Sequence, residues 1–172
     1  IPYDKLWDEE VLTGKLSKYD WLHLHHEDFT GQYGKFFSIY AQAPWYLQQQ
    51  NDYETFARQM GFAKVSREKL AVAKMMKDYI AKGGFLFAMC GATDSFDIAL
   101  AAQNADICEA MYDGDAADPG ANNKLQYSQS LAFNDFKVEM NPYAYEFSDI
   151  DHPSNLVARL KTPEEDYFTL FD

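Results

Sequence analysis

The sequence has 172 residues, of which 47% are hydrophobic and 16% aromatic, a composition that predicts a globular domain with a sizeable core. Asp and Glu outnumber Lys and Arg by 27 to 15, and the net charge of −12 argues against nucleic acid or an anionic membrane as a partner. No run approaches the roughly 18 apolar residues of a membrane span, so we expect a soluble chain, and two cysteines are too few to fix its compartment.

Two short strands with a charged segment between them are predicted at the N-terminal end. Residues 1–6 (IPYDKL) form the first strand, and residues 19–25 (YDWLHLH) form the second, in which aromatic and histidine side chains alternate with leucines. Three acidic residues after Trp7 favour the start of a short helix within residues 7–18.

The central part of the chain has helical periodicity, interrupted by one short apolar run. Ser66 suits a helix cap, and Gly83 and Gly84 suit a helix end. The order strand, helix, strand, helix favours right-handed crossovers and a parallel sheet. The predicted elements are helices over 32–42, 53–60 and 66–82, a strand over 83–90, and a helix over 95–103.

The character of the chain changes after residue 104. Residues 106–123 are rich in Asp, Gly and Asn, which predicts loops, and residues 131–140 and 145–150 are predicted as further strands. Together the elements predict one α/β domain over residues 1–172. We expect a three-layer, flavodoxin-like fold with a parallel sheet and flanking helices.

The stretch GGFLFAMCGATD, residues 83–94, has the pattern of a nucleophile elbow, a sharp turn between a strand and a helix that presents its central residue. The helix passes close to the strand there, so small residues are needed two positions either side of Cys90, and these are Ala88 and Ala92. The amide of Gly91 and a neighbour would form an oxyanion hole, and the helix N-terminus would favour a thiolate. Alternatively, Cys90 is a small buried residue that ends a strand.

A second polar group, His25-His26-Glu27-Asp28, follows the strand over 19–25. Because the carboxyl ends of neighbouring parallel strands face one crevice, we expect this group to lie close to Cys90 if the two strands are adjacent. His26 or Glu27 would then polarise the thiol or orient a substrate. The predicted catalytic residues are Cys90, His26 and Glu27, and the predicted oxyanion or binding residues are Gly91, Ala92, Asp94, His25 and Asp28.

The histidines could also bind a metal ion or supply a different base for Cys90. As a metal motif the spacing is weak, because His23 and His25 share one strand face while His26 points away, so no metal site is predicted. His152, which precedes a proline, is a second candidate base for Cys90, although a histidine in such a polar loop is commonly just exposed.

Three motifs resemble a family of bacterial proteins often labelled asparagine synthetase B, within the class I glutamine amidotransferase-like fold: YDWLHLHHEDFTGQYGKF, GGFLFAMCGATDSFDIALAA and YEFSDID. The resemblance implies a parallel sheet covered by helices, with the elbow cysteine, here Cys90, at its carboxyl edge. Active members complete a triad with His-Pro-Glu, whereas this chain has His152-Pro153-Ser154. The resemblance also implies a strand before residue 1 and a Gly-Gly-His segment later on, so we expect an internal part of a longer protein, incomplete at both ends.

These observations lead to one functional hypothesis and two alternatives. The hypothesis is a cysteine-dependent hydrolase or amidotransferase-like enzyme, without a cofactor, in which Cys90 attacks an amide or related carbonyl. The first alternative is a noncatalytic ligand-binding or structural domain, with a carbohydrate stacked on aromatic residues as one candidate ligand. The second is a metal-dependent hydrolase that uses the His-His-Glu-Asp group. The expected partners are a small-molecule substrate or ligand and the remainder of the parent chain.

Overall fold

The computed structural model describes residues 2–150, which are mostly helical. Its two strands are β1, Trp21–His25, and β2, Phe85–Met89. The helices are α1 Asp8–Leu12, α2 Phe37–Tyr40, α3 Pro44–Gln59, α4 Val65–Ala81, α5 Gly91–Ala101 and α6 Ala110–Asp113, and 3-10 helical turns lie at Lys15–Lys18, Tyr33–Lys35, Ala121–Lys124 and Tyr127–Gln129. None of the helices among these residues combines the length and the apolarity needed to cross a membrane.

The predicted three-layer, flavodoxin-like parallel sheet is wrong for the described part of the chain. The sheet there has two strands, β1 and β2, which pair in parallel with His25 opposite Met89. Residues 2–6 are not in a strand, and the predicted strands over 131–140 and 145–150 are reduced to one antiparallel bridge between Val138 and Ser148.

Residues 131–150 satisfy much of their backbone through side chains rather than through a strand ladder. Asp97 is almost fully buried, and its carboxylate accepts hydrogen bonds of 2.7 to 2.9 Å from the amides of residues 131–133. Asn122 both donates to the carbonyl and accepts from the amide of Val138. Because buried backbone groups need partners, these bonds replace the strand pairing that the sequence pattern predicted.

The helices are better predicted than the sheet. The helix predicted over 66–82 is confirmed as α4, which begins one residue earlier, with Lys64 rather than Ser66 at the N-cap position. The helix predicted over 53–60 is the second half of α3. This helix starts earlier than predicted, at Pro44, and proline is favoured in the first turn of a helix. The helix predicted over 32–42 breaks into short turns, because the backbone at residues 33–35 has positive φ.

Two hydrophobic clusters meet at α5 and hold it rigidly. One cluster packs α4 and α5 against the inner face of the sheet and includes Leu24, Val72 and Phe96. The other packs α5 against α3 and the later loops and includes Ile98. Because α5 is buried on several sides, the residue at its N-terminus has a fixed position relative to the ends of both strands.

The outer face of the sheet is uncovered in the described structure. Trp21 and Phe85 are 57% and 56% exposed and contact each other edge to face, with ring centroids 5.5 Å apart. Phe87 is 44% exposed and its ring lies 5.3 Å from that of His23. The sheet therefore has a helical layer on one face only, whereas the predicted fold has helices on both faces.

Candidate functional site

Cys90 alone forms the turn between β2 and α5. The strand ends at Met89 and the helix begins at Gly91, four residues before the predicted start of this helix. Cys90 has φ 53° and ψ −140°, a conformation that costs a residue with a Cβ atom about 1–3 kcal/mol. Cys90 is an exposed residue, so the alternative of a buried residue at a strand end does not describe it.

The end of β1 is built in the same way as the end of β2. His25 is opposite Met89, so the next residues, His26 and Cys90, lie beside each other, and His26 also has positive φ (65°). Ser95 on α5 donates a hydrogen bond of 2.9 Å to the carbonyl of Glu27. Thus α5 positions the turns that follow both strands.

His25, His26 and Cys90 form a compact group of exposed side chains. One nitrogen from each imidazole and the Cys90 Sγ all lie within 4.8 Å of one another. The two imidazole centroids are 4.0 Å apart. The expectation that His26 points away from His25 is wrong, because the strand ends at His25 and the positive φ of His26 turns the chain. A proton could pass from thiol to imidazole after a small side-chain rotation.

The two carboxylates of the predicted His-His-Glu-Asp group serve the backbone instead. The carboxylate of Glu27 accepts a hydrogen bond from the amide of His25. Asp28 accepts hydrogen bonds from the amide and hydroxyl of Thr30, at 2.7 and 2.6 Å, and from the amide of Gly34, at 2.8 Å. Asp28 therefore shapes the loop after β1, and Glu27 holds the end of the strand.

The remaining predicted residues lie at the start of α5 or outside the described residues. The amide of Thr93 donates to the carbonyl of Cys90, whereas the amide of Gly91, the first of α5, has no acceptor within the helix. Ala92 is fully buried in the core beneath the elbow. Asp94 is 1% exposed, and its carboxylate accepts a hydrogen bond from the amide of Ser95. Ala92 and Asp94 therefore support the turn from below. His152 lies outside the described residues.

Two cavities meet at His26. The first, of about 360 Å³, is lined by His25, Glu27, Tyr53 and Lys69 among others. The second, of about 520 Å³, is lined by His26, Gly34, Phe36, Gly91, Tyr145, Glu146 and Phe147. His26 borders both cavities. The second cavity combines the Gly91 backbone with aromatic walls, which suits a small ligand with a polar group facing the elbow.

A buried lysine that the sequence did not single out attaches the wall of the second cavity to the loop after β1. The Lys35 ammonium donates to the carbonyls of Glu139 and Asn141, at 2.8 and 3.0 Å. Burial lowers the pKa of Lys35, and the nearby carboxylates of Glu139 and Asp28 oppose that shift. These contacts fix the start of the segment that carries Tyr145.

A second group that sequence reasoning missed lies beside the first cavity. Glu68 is 1% exposed, and its Oε1 has no hydrogen-bond partner among the described residues. Burial raises the pKa of Glu68 to about 7, Lys69 opposes this shift, and Asp8 adds to it. Lys69 pairs with Asp8 and lies 5.1 Å from the centroid of the Tyr53 ring. The helical spacing of Glu68 between buried Val65 and Val72 is the signal that could have placed it inside.

Cys108 differs from Cys90 in being buried rather than exposed. It is fully buried, and its thiol donates to the carbonyl of Thr30 at 3.3 Å. Burial raises its pKa well above the usual value, and the charges of Asp113 and Asp106 raise it further. The two carboxylates are already bound by the Lys64 ammonium, at 3.0 and 2.6 Å. Cys108 is therefore an inert thiol in an electrostatically satisfied environment.

No family model, curated protein or solved structure matches this chain. The chemistry of the site therefore rests on its geometry. An exposed cysteine at a helix N-terminus, two imidazoles within reach and a helix amide that has no acceptor within its helix are the parts needed for nucleophilic attack on a carbonyl.

Proposed function

We propose that this chain is a cysteine-dependent hydrolase or amidotransferase-like enzyme that acts on an amide or related carbonyl of a small molecule. The observation that carries the proposal is the position of Cys90, in a strained one-residue turn with His25 and His26 within 4.8 Å. The motifs that contain Cys90 and the two histidines resemble the family labelled asparagine synthetase B, in the class I glutamine amidotransferase group, and this resemblance supports the proposal.

His26 is the residue best placed to act as the base. It lies directly beside Cys90 at the strand ends and borders both cavities, whereas the backbone of His25 is held by Glu27. His25 acts as a positioning residue, because its ring centroid lies 4.0 Å from that of His26 and limits how the His26 ring can rotate. Glu27 acts through the backbone and does not touch the thiol in this arrangement.

The reaction follows from these positions. His26 accepts the thiol proton, and the Cys90 sulfur attacks the carbonyl carbon while the Gly91 amide donates a hydrogen bond to the developing oxyanion. Collapse of this intermediate breaks the carbon–nitrogen bond, and His26 returns the proton to the departing amine. Water, deprotonated by His26, then hydrolyses the thioester and regenerates the thiol.

The second cavity is the place for the substrate. Its volume of about 520 Å³ falls within the range of small-molecule sites, and its aromatic walls include Phe36 and Tyr145, whose centroids are 6.2 Å apart. Such walls suit a flat or ring-containing group next to the scissile bond. The Gly91 end of this cavity would receive the carbonyl.

A noncatalytic ligand-binding domain is the second candidate, and one observation favours it. The carboxylates of Glu27 and Asp28 bond to backbone amides, so neither supplies the acid that would complete a triad with His26. In this alternative the aromatic cavity binds a ligand, and Cys90 has no chemical role.

Alkylation of the two cysteines tests the difference in exposure that both candidates require, and its dependence on His26 separates the candidates. Iodoacetamide at pH 7 is expected to modify Cys90 at least about 100-fold faster than Cys108, because one thiol is exposed beside an imidazole and the other is fully buried. Peptide mapping by mass spectrometry gives both rates in one sample, and unfolding should make them equal.

Histidine variants are the control for this experiment. His26→Asn should slow alkylation of Cys90 about 10-fold or more, because the base is lost. His23→Asn, which removes an exposed histidine of the same strand, should leave the rate unchanged. A Cys90 rate that is insensitive to His26, or no faster than that of a free thiol, would favour the noncatalytic candidate.

A further inference from the structure

His25, His26 and Cys90 also form a set of metal-binding donor atoms. Two imidazole nitrogens and one thiolate sulfur are the ligands that Zn²⁺ and its neighbours in the first transition row bind well. All three side chains are exposed, so an ion can reach them from solvent. The proposed hydrolysis uses one imidazole as its base, and the second adds a donor that the chemistry does not require.

The distances fit a tetrahedral ion after small movements. Zn²⁺ with bonds of about 2.0 Å to nitrogen and about 2.3 Å to sulfur holds these atoms about 3.3 to 3.6 Å apart. In the structure the three donor atoms lie within 4.8 Å of one another. The required shortening is on the order of 1 Å, which exposed side chains reach by rotation about their own bonds.

The backbone limits how far this set can spread. His26 and Cys90 sit at register-matched ends of paired strands, and both have positive φ. The rigid N-terminus of α5 fixes the cysteine, and the Ser95 hydroxyl fixes the turn after the histidines through the carbonyl of Glu27. Three protein donors leave a fourth position for water, as in open zinc sites.

We propose that His25, His26 and Cys90 bind Zn²⁺ or a similar divalent transition-metal ion, and that the bound ion inhibits the reaction at Cys90. Cys90 releases its proton to solvent when its sulfur binds the metal, and the nitrogen lone pair of His26 becomes a metal bond. The nucleophile and the base are therefore blocked together. The inhibition rests on the proposed function, whereas the binding does not.

Cobalt binding tests the site without any assay of activity. The full chain, free of a polyhistidine tag, is titrated with Co²⁺ while the near-ultraviolet absorption of a cobalt–thiolate bond is recorded. We expect a band that saturates at one equivalent and is displaced by Zn²⁺. Cys90→Ser should abolish the band, and His25→Asn and His26→Asn should each weaken binding about 10-fold or more.

His23→Asn is the matched control, since it removes an exposed histidine two residues before His25 on the same strand. It should leave the cobalt affinity unchanged, and thermal unfolding of each variant checks that the fold is retained. A band that persists in Cys90→Ser, an equal loss of affinity in His23→Asn, or no band at all would overturn the metal site.

Zn²⁺ itself tests the inhibition. One equivalent should slow alkylation of Cys90 at least about 10-fold, and a chelator should restore the rate. Hydrolysis, once a substrate is found, should fall in parallel. If the metal binds and protects the thiol while no hydrolysis occurs under any condition, the proposed function and the inhibition fail but the site stands. If metal-free protein is inactive and Zn²⁺ activates it, the inhibitory role is overturned in favour of a metal-dependent hydrolase.

Discussion

Replacing Cys90 by serine is expected to lower the rate of amide or ester hydrolysis at least about 1,000-fold and to leave the fold intact. A serine hydroxyl holds its proton far more tightly than a thiol, so the neighbouring imidazole cannot generate the nucleophile as readily. The exposed side chain makes few packing contacts, so the free energy of unfolding should change little. The measurement is kcat/KM on a panel of primary amides and activated esters, with thermal unfolding recorded in parallel.

The matched control for Cys90→Ser is Cys108→Ala, which removes the other thiol. Cys108 is buried in a hydrophobic cluster and lines neither of the two cavities at His26, so its loss should cost stability but leave kcat/KM of the folded protein unchanged. If Cys90→Ser hydrolyses the same substrates at the rate of the original chain, Cys90 is not the nucleophile.

Glu68→Gln is expected to remove a pH dependence of stability that the original chain has. Burial raises the pKa of Glu68 from 4.5 to about 7, so the folded chain holds a proton that the unfolded chain releases between these values. Protonated Glu68 therefore stabilises the folded chain fully below about pH 4.5, and this stabilisation is lost as the pH rises through about 7. The linkage relation sets the loss on the order of 3 kcal/mol.

Urea unfolding at pH 5 and pH 8 measures this effect. The free energy of unfolding of the original chain, minus that of Glu68→Gln, should fall by up to about 3 kcal/mol between the two pH values. Glu9→Gln, a surface change on α1, should show no such difference. Parallel pH profiles for the original chain and Glu68→Gln would mean that Glu68 is not held protonated inside.

The elbow could be predicted from local sequence, and the neighbouring strand end could be predicted from the order of strands and helices. Small residues around Cys90 permit the close turn, and the strand–helix–strand order brings β1 beside β2. The extent of the sheet could not be predicted in the same way. Residues 131–150 have a strand-like pattern, but Asp97, more than 30 residues earlier, satisfies three of their amides. Such a bond between distant residues leaves no periodic signal in the sequence.

The candidate site was predicted in outline and missed in detail for a similar reason. The pattern placed His25 and His26 near Cys90, but strand alternation predicted that their rings diverge, whereas positive φ at His26 brings them together. The carboxylate of Asp28 was expected at the site, yet it accepts hydrogen bonds from the amide of Gly34 and from the amide and hydroxyl of Thr30. Unusual backbone angles and local hydrogen bonds decide these positions, and sequence periodicity reports neither of them.

The central claim, that Cys90 is a nucleophile activated by His26, is tested most directly by trapping the thioester. The chain is mixed with an activated acetyl ester and quenched in acid, and the intact mass and the acetylated peptide are recorded. We predict one acetyl group on Cys90, formed about 10-fold or more slowly in His26→Asn and at the original rate in His23→Asn. Acetylation of lysines with none on Cys90, or equal Cys90 rates in all three proteins, would contradict the claim.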